Sequence, residues 1–134
     1  MEYAAGVIIA TAVGLFASLV GLDKERSFYP TVLIVIASYY VLFAAMAKST
    51  HALVAEALPV LLFAAAAALG FRRTRWIVVA ALALHGVFDL IHHAVITNPG
   101  VPAWWPGFCL AYDVTAAAYL ALLLAYRSRH QHEK

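Results

Sequence analysis

The sequence predicts an all-α protein, a polytopic membrane bundle of five transmembrane helices forming one domain over residues 1–134. Three observations carry this. Hydrophobic residues make up 65% of the chain, beyond the range of water-soluble domains. The few charged residues, nine Lys/Arg and seven Asp/Glu, fall mostly between apolar runs. Those runs are each near the ~20 residues that a helix needs to cross a bilayer.

The first run, 4–22, follows Met1 and Glu2 with no basic segment before it and is longer than the apolar core of a signal peptide, so it reads as a retained span. The connector DKERSFYP alternates charge signs and ends at Pro30, placed to open the second span, 30–46, in a first helical turn. Asp23 and Glu25 are positioned to pair with basic residues of neighbouring loops. After AKST comes the third span, 51–70, in which Pro59 is tolerated as a kink and the run Ala64 to Ala68 lets neighbours pack closely. FRRTRW leads into the fourth span, 76–96, and TNPGVPAW into the fifth, 105–126.

Eight of the nine basic residues, Lys24, Arg26, Arg72, Arg73, Arg75, Arg127, Arg129 and Lys134, fall on one side of this arrangement, against Lys48 on the other. The positive-inside rule then puts the N-terminus outside and the C-terminus inside a cell membrane. Trp104 and Trp105 suit the outer aromatic belt and Trp76 the inner one. The expected partner is the lipid bilayer, with a second copy of the chain a candidate for enclosing a cavity between short helices. A net charge of +2 leaves no broad basic surface for nucleic acid. The single cysteine, Cys109, excludes an internal disulfide and any Cys-rich metal motif.

Within the fourth span, HGVFDLIHHAV carries three imidazoles and a carboxylate. At about 100° per residue, His85, Asp89, His92 and His93 occupy an arc of roughly 100°, one face of the helix. The third span brings Glu56 about 7 Å below His51 at its mouth, and the fifth brings Cys109 and Asp113 about 6 and 12 Å below Trp105. Acids and imidazoles from three helices thus converge on one depth in the outer half of the bundle. Each carboxylate at the centre of a span costs on the order of 3 kcal/mol on insertion scales, which a structural bundle has no need to bear. Glu56, Asp89 and Asp113 therefore mark a site where they satisfy one another, water or a bound cation.

Nitrogen and oxygen donors at these spacings point to a divalent metal such as zinc, iron or manganese. The expected ligands are His85, Asp89, His92, His93 and Glu56, with Asp113 and Glu56 as candidate catalytic carboxylates and His51, Cys109, Tyr112 and Ser38 as outer supports. A carboxylate followed three residues later by histidine occurs in di-metal carboxylate bundles; one copy here suits a mononuclear or asymmetric site. DLIHH also resembles the histidine boxes of membrane desaturases and hydroxylases, with Asp89 where the first histidine stands. That resemblance implies oxygen chemistry at a di-iron centre, but it covers five residues of a chain with a single box. FYPTVLIVIASYYVLFA, HGVFDLIHH and WWPGFCLAYDV are similar to a family of small five-span bacterial membrane proteins, a likeness that implies no activity. Three functions fit these residues: a metal-dependent enzyme acting on a lipidic or amphipathic small molecule, a proton- or cation-coupled transporter or relay, and a non-catalytic cofactor-binding or assembly protein.

Overall fold

A computed structural model describes residues 1–132. Its helices are α1 (Glu2–Val20), α2 (Phe28–Met46), α3 (Thr50–Arg72), α4 (Arg75–Val95) and α5 (Trp105–His132), with a single 3-10 turn at Leu22–Lys24. All five are long and apolar enough to cross a membrane. Lys134, counted with the basic end of the sequence, lies outside the described residues.

The helix ends depart from the hydropathy limits for local reasons. Gly21 adopts a left-handed φ of 85°, the backbone turn that glycine supplies after a helix C-terminus, so α1 stops two residues short of the apolar run. Pro30 falls in the first turn of α2, where its missing N–H has no helical partner to lose. Ser49 and Thr74 cap α3 and α4, their side-chain oxygens accepting from Ala52 N at 3.2 Å and Trp76 N at 3.4 Å, as N-cap hydroxyls do. Helix α5 continues past residue 126 into charged sequence. Its 28 residues reach about 42 Å, more than the ~30 Å of hydrocarbon in a bilayer.

Chain order is not spatial order. Helix α4 packs between α3 and α5 and touches α2, α2 lies on α3, and α1 docks on α5. The stripe Gly6, Ala10, Gly14 and Ala17 is buried, and such small residues let two helix backbones approach. A side chain at Gly6 would run into the carbonyl oxygen of Phe108, and one at Gly14 would meet the Tyr119 ring at 3.0 Å. Gly6→Leu is therefore expected to destabilise the detergent-solubilised protein by about 1–3 kcal/mol; a thermal melt unchanged from the parent would contradict this packing.

Polarity is distributed as a hydrocarbon surrounding requires. Outward side chains are mostly apolar, with Leu19 86% and Leu122 71% exposed, whereas Asp23, Glu56, His85, Asp89, His92, Asn98 and Asp113 are buried. These buried polar residues fall into two zones. At the end formed by the α1–α2 and α3–α4 connections, Asp23 accepts from Ser18 Oγ at 2.8 Å and pairs with Arg127 Nη2 at 3.0 Å, the pairing with basic residues that the connector predicted. The remaining six lie toward the other end, where the α2–α3 and α4–α5 connections run.

Candidate metal centre

Helix α4 lays out the centre. His85, Asp89 and His92 are spaced i, i+4 and i+7, so they form one stripe, and none is more than 1% exposed. His93, at the edge of the expected arc, falls outside that stripe and is exposed. Gly86 lets α5 come close: a methyl group there would touch Asp113 Cβ and Leu110 O at 3.4 Å. This approach sets Asp113 beside His85.

His85 Nδ1 lies 2.6 Å from Asp113 Oδ2 and 3.4 Å from Asp89 Oδ2. The Tyr40 hydroxyl donates to the other oxygen of Asp89. Edge-on packing of Phe63 at 4.6 Å holds the imidazole of His85 in place. One donor atom from each of His85, Asp89 and Asp113 falls within 4.8 Å of the other two.

A second group adjoins the first. Glu56 Oε1 lies 2.7 Å from His92 Nε2 and accepts from Asn98 Nδ2 at 2.8 Å. The same amide of Asn98 donates to the Tyr40 carbonyl at 2.9 Å, and its oxygen accepts from Gly100 N at 3.1 Å. Tyr40 stacks on His92 with ring centroids 4.0 Å apart. It is thus common to both groups, through its hydroxyl to Asp89 and through its ring and carbonyl to His92 and Asn98.

Hydrogen bonds within the protein leave part of this polarity unspent. Among the described residues, Asp113 Oδ1, Glu56 Oε2 and His92 Nδ1 are buried without a hydrogen-bond partner, and Asp89 Oδ2 has only its 3.4 Å approach to His85. Two buried carboxylates crowded onto one imidazole make a concentration of acidic oxygens that a divalent cation would offset and a dry interior otherwise penalises. One nitrogen and two carboxylate oxygens suit zinc, manganese or iron, and three protein donors leave a coordination position open. At metal–ligand bonds of about 2.1 Å, donors on one tetrahedral ion lie about 3.4 Å apart, so side-chain shifts of about an ångström would be needed to bring these donors onto it.

Comparison of the chain with protein families, curated proteins and solved structures finds no match. Function must therefore be read from the geometry. Of the residues expected at the site, His85, Asp89 and Asp113 converge, and Glu56 and His92 form the adjoining pair. Asp113, expected as a base, sits among the donors. Cys109 is buried one turn from Asp113 but is not one of the converging donors. Tyr112 lines a lateral groove, His51 is exposed in the first turn of α3, and Ser38 is exposed and bonds its own helix at Val35 O, 2.7 Å away. Sequence reasoning passed over Asn98 and assigned Tyr40, one of the hydroxyls of the second span, to packing or the interface. Tyr40 reads as one of several span aromatics, and Asn98, ahead of Pro99 and Gly100, reads as a turn residue.

Proposed function

We propose that the protein is a membrane-embedded metalloprotein in which His85, Asp89 and Asp113 hold one divalent cation, used as a Lewis acid on an amphipathic molecule. The observation that carries this reading is the convergence of the three donors within 4.8 Å, with carboxylate oxygens beside them that lack hydrogen-bond partners. A cation at this position would polarise an oxygen of the substrate or activate water. The His92–Glu56 pair supplies an imidazole oriented by a carboxylate, with Nδ1 free to accept a proton, the arrangement of a general base and its positioning group.

An apolar groove of about 640 Å³ between α1 and α2 supports the substrate class, since its volume is in the range of small-molecule sites. Its floor is α5, through Trp105, Phe108, Cys109 and Tyr112, and Glu25 and Ser27 join its lining near the start of α2. Cys109 stands between the groove and the centre, one turn from Asp113. A proton relay would use the same buried groups, but Leu33, Val78, Leu82 and Leu120, all fully buried, form an apolar layer toward the basic end. That layer favours an enclosed site over a conducting path.

Elemental analysis of the purified full-length protein tests the proposal. About one equivalent of zinc, manganese or iron is expected, as for a single mononuclear centre. Protein that stays metal-free after purification without chelator and incubation with each of these ions would exclude it.

A further inference from the structure

At the opposite end of the bundle, a cleft of about 260 Å³ is lined by Arg26, Arg73, Arg75 and Arg127 with no acidic side chain among the described lining residues. The arginines come from three separate places: the turn before α2, the α3–α4 connection and the last turns of α5. Backbone carbonyls hold three of them in place. Arg26 donates through Nε to Phe71 O at 3.1 Å and through Nη2 to Arg73 O at 3.3 Å. Arg75 and Arg127 both donate to Asp23 O, at 3.1 and 3.0 Å.

Among the described residues, Asp23 is the carboxylate that forms an ion pair with this group. It is 2% exposed and its side chain pairs with Arg127, so Arg26, Arg73 and Arg75 have no ion pair of their own among the described residues. Arg73 has no side-chain bond or ion pair with any described residue. The first turn of α4, through Thr74, Arg75 and Trp76, also lines the cleft, adding the positive end of a helix dipole. Ser128 supplies a hydroxyl and Gln131 an amide. Basic residues that serve only to orient a membrane protein need no fixed geometry. Planar guanidiniums tied to carbonyls are instead preorganised for a forked, multi-oxygen anion.

We propose that this cleft binds a phosphate-type oxyanion, presented by the headgroup of an anionic phospholipid. The lipid is favoured over free phosphate because the cleft has an apolar side as well as a charged one: Leu124 lines it, and Trp76, 51% exposed, sits where acyl chains would pass. This site is separate from the metal centre and stands whether or not that centre binds an ion.

The test is retention of phosphatidylglycerol, phosphatidylcholine and inorganic phosphate by the full-length protein in neutral detergent, read by native mass spectrometry. Phosphatidylglycerol is expected to be retained in preference to phosphatidylcholine. Arg73→Gln, which breaks no bond within the fold, is expected to weaken retention about tenfold or more, the loss of a charge-assisted hydrogen bond. Arg72→Gln removes equal charge from an exposed neighbour outside the cleft and is expected to change it about twofold or less at ~0.15 M salt, where the screening length is ~8 Å. Equal losses in the two variants, or equal retention of the two lipids, would overturn the proposal. Displacement of the lipid by micromolar phosphate would overturn the lipid assignment, whereas displacement only at tens of millimolar supports it.

Discussion

Asp113→Asn is expected to lower divalent-metal affinity on the order of 100-fold or more, since loss of an outer-shell partner alone costs 10–100-fold. The substitution preserves shape. Asparagine keeps an oxygen to accept from His85 Nδ1, now 2.6 Å from Asp113 Oδ2, and removes one of two carboxylates crowded onto a single imidazole. Stability without metal should therefore stay within about 1 kcal/mol of the parent, because the hydrogen bond survives while like-charge repulsion falls. A cation that binds only the folded protein stabilises it by about 2.7 kcal/mol at a hundred times its dissociation constant. Melts in detergent, with and without added zinc or manganese, should show this gain in the parent and lose it in Asp113→Asn. A metal-dependent gain of equal size in both proteins would remove Asp113 from the donor set.

Glu56→Leu is expected to destabilise the fold by about 3 kcal/mol, because it strands two buried donors at once. His92 Nε2 and Asn98 Nδ2 both bond Glu56 Oε1, and neither has solvent to turn to, at 0% and 5% exposure. Adding His92→Leu to Glu56→Leu should recover the part of that loss due to His92, as apolar replacement of a buried polar pair commonly does, while the Asn98 N–H keeps no acceptor in place of Glu56. The double variant should also retain metal, since the converging donors do not include this pair. Unfolding curves and metal content of the parent, both single variants and the double variant give the answer. A double variant no more stable than Glu56→Leu, or one unable to hold metal, would show that the two groups form one unit.

Much of the fold was legible because hydropathy responds to the hydrocarbon layer more than to neighbouring helices. Where a span ends for another reason, the run misleads: Gly21 stops α1 by its backbone angle, and α5 stays helical beyond the apolar stretch because charged residues such as Arg127 are good helix formers. The buried acids could be picked out by their cost in lipid, and the stripe His85, Asp89 and His92 by helical spacing. Spacing within one helix says nothing about the rotation of its neighbours, so the division into a donor triad and a separate Glu56–His92 pair was not visible. The limit shows most clearly at Asn98 and Tyr40, whose partners are remote in sequence. Asn98 reaches back 58 residues to the Tyr40 carbonyl and 42 to Glu56.

The α4–α5 connection does more than join two helices. Through one amide, Asn98 fastens it to α2 and α3 together, and Gly100 lies so close to the Phe43 carbonyl that a side chain would not fit. An ion held among donors buried behind such a latch would exchange at the rate at which the latch releases. Loading and stripping of an ion there should be slow even where equilibrium affinity is modest, and loosening Asn98 should speed both without altering the donors.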